Sequence, residues 1–404
     1  MASTTQELET QLSQERYALS SLLEFARTLT PDLGPKGIIR SVLRTVMGRS
    51  LIKEAFAYLE DPTSQGFELV NLAGFSTSSL RPFLNTEAFE ATLMGGPASA
   101  TLVPLVSSDG RSYLGLLGFG PSINPNLRDE TEAVYLASLA ALTSIALTNA
   151  WLFEREKERE RLESELGLAR DIQQSLLPQG FPEIDGVEFA AVSRPSEWVG
   201  GDYYDIISLG DDSVLVCIAD VVGKGIAAAL TMSNMQAALR ALVGILRGGH
   251  LSLLNVVKEL NRLMCESTAP DRFITAVIGV LDVNRRKFEC VVCGHPNPAI
   301  GLEDEQIIHI ESTGIPLGIV PTFPYESKSY SLPKGALLLF YTDGLSEAKY
   351  GQSMVGSQGI EEVLRHPAMR EGDLGEALRQ LVESPRITVE DDITVLAIRF
   401  ESSR

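Results

Sequence analysis

The sequence predicts an α+β protein of two domains joined by a helical linker. Three observations carry that prediction. The chain has 404 residues, too many for one compact core. A helical pattern runs through residues 128–177, between segments that carry strand patterns. Beyond residue 181 strands outnumber helices and follow one another directly, which calls for mainly antiparallel sheets, because parallel strands need long crossovers.

Composition narrows the function. Hydrophobic residues make up 44% and charged residues 22%, as in ordinary globular proteins. The formal net charge is -19, which argues against nucleic acid and against an anionic membrane surface, since both recruit clustered Lys and Arg. Four cysteines are too few for a disulfide framework, so a reducing cytoplasm fits. The N-terminus, MASTTQELETQLSQER, is polar and does not read as a secretory signal. The apolar runs are broken within about ten residues, too short to span a bilayer.

Residues 1–30 read as a helix. Leu8, Leu12, Leu19, Leu22, Ala26 and Leu29 form a heptad seam interrupted at Glu15. The same spacing suits an amphipathic helix packed on its own domain. Pro31 and Gly34-Pro35 end it. Residues 31–150 alternate helix and strand: a helix over Ile38 to Met47, strands over Ala55 to Leu59, Phe67 to Leu72, Thr101 to Val106 and Leu114 to Phe119, then a helix from Arg128 to Asn149. This order, with LVPLVSSDGRSYLGLLGFG and SIALTNAWLFE, resembles a GAF sensor domain, which implies an α/β sensor with an unknown ligand or partner. Residues 31 to 150 contain no His or Cys, so haem or iron–sulfur ligation has little support there. Residues 151–178 continue the helix. Leu162, Leu166, Ala169 and Leu176 keep the seam, while Arg155 and Arg159 fall at core positions. The segment suits a weak parallel coiled coil, or a solvated single helix.

Residues 179–404 form the second domain. Val214 to Ala219 is a buried strand. Gly225 to Leu246 is a helix closed by Gly248 and Gly249, and Ser252 to Ser267 is a second. Phe273 to Leu281 and Lys287 to Val292 form a hairpin around Asn284-Arg285. Ala336 to Tyr341 and Ile393 to Phe400 are strands.

Acidic residues recur at the ends of these strands. Asp202 precedes Tyr203 to Ile207 in VGGDYYD. Asp220 follows a strand in VCIADVVGKG, and Asp343 follows one in LLLFYTDGLSEA. Asp391 and Asp392 precede one in EDDITVLAIRF. In antiparallel sheets the end of one strand adjoins the start of the next, so these residues can meet at one edge. Clustered carboxylates stay ionised only with cations among them, and oxygen-only ligation favours magnesium or manganese. Each Asp alone is an ordinary turn or cap residue; the four motifs in order are not.

VGGDYYD, ADVVGKG, TDGLSEA and EDDIT resemble the protein phosphatase type 2C superfamily, specifically its bacterial SpoIIE-like branch, over residues 165 to 402. The resemblance implies an α-β-β-α sandwich binding two or more Mn2+ or Mg2+ ions. It makes Asp202, Asp220, Asp343 and Asp391 the catalytic metal ligands, adds the Val221 carbonyl, and leaves Asp392 to orient its strand. The implied reaction is phosphoserine or phosphothreonine hydrolysis by a metal-bridging water, and no Cys-x5-Arg motif is present. The implied substrate is a phosphorylated anti-sigma-factor antagonist, with the enzyme homodimeric. Two departures stand out: Val221 and Val222 follow Asp220 where eukaryotic members carry a His after an Asp-Gly pair, and Arg194 is the nearest arginine before Asp202. Lys224 could meet a substrate phosphate at the following helix N-terminus, or be a solvated turn lysine. Cys290-x-x-Cys293 lacks the partners of a zinc site, His295 reads as structural or near the site, and Met232 and Met235 read as core. A two-metal hydrolase of small phosphate esters and a catalytically dead ligand-sensing scaffold remain as alternatives.

Overall fold

In the computed structural model the chain divides into two units, residues 1–162 and 163–404. The structure describes residues 2–401 apart from 62–63, 65, 76–79, 96–99, 124–128, 211, 249–251, 270, 351–352, 386 and 389.

The first unit runs α1 (Ala2–Thr28), α2 (Gly34–Ser50), β1 (Ala55–Asp61), β2 (Gly66–Ala73), β3 (Phe83–Asn85), α3 (Thr86–Gly95), β4 (Thr101–Val106), β5 (Tyr113–Phe119) and α4 (Asp129–Leu176), the last continuing into the second unit. Its sheet is antiparallel in the order β3-β2-β1-β5-β4. Gly34-Pro35 begins α2: Pro35 sits in its first turn, where a missing N–H is harmless. Ile38, Ile39, Val42 and Val46 pack with Leu136, Leu139 and Leu147 of α4 on one face of the sheet. Phe56, Tyr58, Phe67, Phe89 and Leu116 fill the other face. The short β3 and α3 fell in a stretch the sequence left unassigned.

The expected seam of α1 is only partly used. Leu22 and Leu29 pack on the core beside the buried Phe25, while Leu12 and Leu19 are more than half exposed. The side chains of Leu8 and Glu15 lie outside the described residues. The sensor helix and the linker, expected to run on as one helix, form the 48-residue α4; the expected first residue, 128, is outside the described residues. By length and composition, α4 and the helix Ile226–Arg247 could cross a bilayer, which corrects the sequence reading. Each also buries an apolar face in a core, which gives that apolarity a use.

The second unit carries β6 (Val187–Arg194), β7 (Tyr203–Gly210), β8 (Ser213–Val221), α5 (Ile226–Arg247), α6 (Leu253–Ser267), β9 (Ile274–Asp282), β10 (Lys287–Cys293), β11 (Ala299–Gly301), β12 (Ile307–His309), β13 (Lys328–Ser331), β14 (Leu337–Tyr341), α7 (Asp343–Ser346), β15 (Lys349–Tyr350), β16 (Ser353–Met354), α8 (Gly356–Arg365), α9 (Pro367–Arg370), α10 (Leu374–Val382), β17 (Ile387–Thr388) and β18 (Ile393–Phe400). Two five-stranded antiparallel sheets, β13-β10-β9-β8-β7 and β12-β11-β14-β18-β6, face each other. Helices α5 and α6 cover the first and α8 to α10 the second, giving the expected α-β-β-α sandwich. The last three helices escaped the sequence reading because they are short. Gly225 and Gly248 cap α5; Gly249 lies outside the described residues. Ser252 is the N-cap of α6, its hydroxyl accepting from the Asn255 N–H.

Strand alternation decides which side chains enter the space between the sheets. On β8, Val214, Val216 and Ile218 face the inter-sheet core, while Leu215, Cys217 and Ala219 face α5 and α6. On β18, Leu396 and Ile398 face inward and Val395 and Ala397 outward. Even-numbered positions on β7, β8, β14 and β18 therefore share the inner face, and Asp202, Asp220, Thr342 and Asp392 continue that parity at the strand ends.

Candidate active site

The structure gathers the predicted carboxylates at one end of the sandwich. Asp220 is the penultimate residue of β8, opposite Thr275, so it lies inside the strand and not after it as the sequence suggested. Asp343 opens α7, two residues beyond the end of β14. Asp202 is buried in the turn entering β7, and its Oδ2 accepts from Thr342 Oγ1 at 3.0 Å. Thr342 Oγ1 also accepts from the Thr394 N–H at 2.9 Å, so one hydroxyl ties β14, β18 and the Asp202 turn together.

These carboxylates strain against one another. Burial raises the Asp202 carboxyl well above the usual range, and the nearby Asp220 adds to it. Asp220 is pushed up to about 7, by burial first and then by Asp343, Asp391 and Asp392. Asp343 is raised by burial, Glu347 and Asp391. Burial and like charge act in the same direction here, the condition that a divalent cation relieves. Asp202 Oδ1 is buried without a hydrogen-bond partner, although buried polar atoms are ordinarily satisfied. Among the described residues no three such groups converge on a single ion position. A hard ion holding one or two carboxylates and completing its shell with water fits that spread-out set.

Asp392 works differently from its neighbour. Its Oδ1 accepts from the Ser196 N–H at 2.7 Å and the Ser196 hydroxyl at 2.9 Å, and its Oδ2 from the Gly201 N–H at 2.8 Å. Both oxygens are occupied in holding the Ser196–Gly201 turn, whereas the sequence reading had Asp392 orient its own strand. Asp391 is half-exposed and lies 3.2 Å from Lys224 Nζ. Lys224 also donates to the Glu390 carbonyl at 2.7 Å. The lysine expected to meet a phosphate, or to stand free in solvent, is thus held against Asp391. The Val221 carbonyl borders the Asp202 turn: a Cβ at Gly201 would stand 2.8 Å from it.

The remaining sequence readings resolve in place. Cys290 and Cys293 are buried on opposite faces of β10, one in the inter-sheet core and one against α5 and α6, so they cannot clasp one zinc ion. Met232 and Met235 are core. Arg194 donates to the Val382 carbonyl of α10 at 3.1 Å. His295 is buried, its Nδ1 2.8 Å from Thr275 Oγ1, next to the strand position opposite Asp220. Burial pushes this imidazole down to about 3, so it is neutral at physiological pH. The sequence reading missed Thr342, Glu347 and Gln173, whose Nε2 donates to the Gly200 carbonyl at 2.6 Å. The YTDG motif held the only signal for Thr342, a hydroxyl on inward parity beside the acidic residue.

Residues 210–401 match the family described as Stage II sporulation protein E. Phosphoserine phosphatase RsbU of Bacillus subtilis is 26% identical over 246 residues, 60% of this chain and 71% of that protein. Protein IcfG of Synechocystis is 30% identical over 265 residues, 59% of this chain but 41% of that protein. The fold matches the SiaA-PP2C domain of Pseudomonas aeruginosa with a TM-score of 0.51 at 22% identity, covering 60% of this chain and 99% of the domain.

Proposed function

We propose that this chain, whose C-terminal unit belongs to the SpoIIE-like branch of the metal-dependent protein phosphatases, removes phosphate from serine or threonine of a bacterial signalling protein. One observation carries the reading: Asp202, Asp220, Asp343 and Asp391 come from four separate segments to one end of the sandwich, where three of them are raised by burial and by one another. Asp202, Asp220, Asp343, Asp391 and the Val221 carbonyl would hold two or more Mn2+ or Mg2+ ions. Those ions, when bound, supply positive charge for the phosphoryl oxygens and an acidified water. The protein's own part is positional. Thr342 and Asp392 fix the Asp202 turn, and Asp343 is fixed by its place at the start of α7.

The proposal extends to a phosphorylated anti-sigma-factor antagonist as substrate, a cytoplasmic setting and a homodimer. The reduced Cys217, Cys265, Cys290 and Cys293 suit the setting. The exposed apolar residues Leu12, Leu19, Leu162 and Leu168 suit pairing with a second copy. The N-terminal unit is assigned a GAF-like sensing role for an unidentified ligand; a groove of about 470 Å³ between β4 and α4 could admit one. The test is turnover of a phosphoserine peptide and of p-nitrophenyl phosphate with Mn2+, and again with EDTA. Peptide turnover that needs metal supports the reading. Turnover of the ester alone favours the small-ester alternative, no turnover of either favours the dead scaffold, and full activity in EDTA overturns the metal site.

A further inference from the structure

Gln173 lies near the C-terminal end of α4, within the second unit. Its amide grips one residue twice: Nε2 donates to the Gly200 carbonyl at 2.6 Å, and Oε1 accepts from the Gly200 N–H at 3.1 Å. A carboxamide has one donor end and one acceptor end. Engaging both on a single glycine fixes the position and the orientation of that backbone. Gly200 stands two residues before Asp202. On its other side Asp392 holds Ser196 and Gly201. A side chain at Gly200 would run into the Asp392 carboxylate, so the turn is confined from both directions.

The end of α4 is itself anchored. Leu177, just past it, packs on the core beneath α5 and α6, and Gln236 Nε2 of α5 donates to the Leu176 carbonyl at 3.3 Å. A cavity of about 50 Å³ lies between this helix end and the turn, lined by Gln173, Leu177, Trp198, Gly200, Asp202 and Asp392.

The geometry points to Gln173 as a positioning residue that sets the Asp202 turn and, through it, the affinity of the metal site; this rests on the metal-site reading above. Hydrogen bonds hold over a few tenths of an ångström and weaken steeply when misaligned. A shift or rotation of the α4 end therefore loosens both bonds together and frees the residue two places before a metal ligand. These two bonds give the linker a direct handle on Asp202.

The test uses the full chain with Gln173→Met, of similar length without the hydrogen bonds, and Gln173→Glu, which keeps the acceptor for the Gly200 N–H and loses the donor. Hydrogen exchange over residues 195–203 is measured without metal, and Mn2+ binding by calorimetry. Both variants should speed exchange in this peptide and leave the rest of the unit unchanged. Both should weaken Mn2+ binding by about tenfold, the loss typical of outer-shell changes. Wild-type exchange, or wild-type Mn2+ affinity, in both variants overturns the proposal. So does faster exchange throughout the unit with Mn2+ affinity unchanged, the mark of a merely structural role. If the wild type binds no Mn2+, the metal-site reading fails and the metal role of Gln173 falls with it, while the exchange data still decide whether Gln173 holds the turn.

Discussion

Asp202 and Asp205 stand at the same end of one strand, both buried, and the fold treats them in opposite ways. Asp205 has odd parity and points to the helix layer. There its Oδ2 accepts from Tyr203 OH at 2.6 Å and from Arg240 Nε at 2.9 Å. Asp202 has even parity and points between the sheets, where its charged neighbours are Asp220 and Asp392. A buried carboxylate supplied with its own cation is architecture. A buried carboxylate surrounded by others is a site awaiting a cation from outside. The two are separated by the alternation of a β-strand and by nothing in their local composition.

Breaking each side of this contrast should give different results. The largest effect is expected for Asp220→Asn and Asp343→Asn, which should abolish turnover at saturating Mn2+ while leaving metal-free stability unchanged or higher, since each removes a repelling charge. Turnover assays beside denaturant unfolding check both halves. On the other side, Arg240→Met leaves Asp205 buried without its cation. It should cost about 2 kcal/mol, the scale of a hydrogen bond to a charged group. Mn2+ affinity should hold, and a large loss would show that the two regions are not separable.

His295 gives a smaller effect with a definite sign. Burial holds its imidazole near 3, below the ordinary 6.5. The unfolded chain therefore takes up a proton that the folded chain refuses as pH falls from about 6.5 towards 3, and stability is lost across that window. His295→Gln should unfold with a shallower dependence on pH there, measured by denaturant midpoints. The smallest effect belongs to Cys290→Ser with Cys293→Ser. The pair faces two different cores, so metal dependence should be unchanged; loss of bound zinc would contradict that placement.

The strands bearing the acidic motifs were legible because buried strands write long apolar runs, as LLLFY and ITVLAIRF do. Asp343, Asp391 and Asp392 stand where those runs placed them, before a strand or just past one. Asp220 did not, because a polar residue at the end of an apolar run looks like a terminus even when the ladder continues through it. Short helices such as α9 and α10 carry too few turns to show a period. Thr342 and Gln173 were silent for another reason: their roles exist only across segments far apart in sequence, and local pattern holds no record of such a partner.

The contrast between the two aspartates is tested most directly by counting ions. Equilibrium Mn2+ titration of the full chain, of Asp220→Asn and of Arg240→Met should give two or more sites in the wild type, fewer or much weaker sites in Asp220→Asn, and wild-type binding in Arg240→Met. An equal number of sites with equal affinity in the wild type and Asp220→Asn would contradict the account.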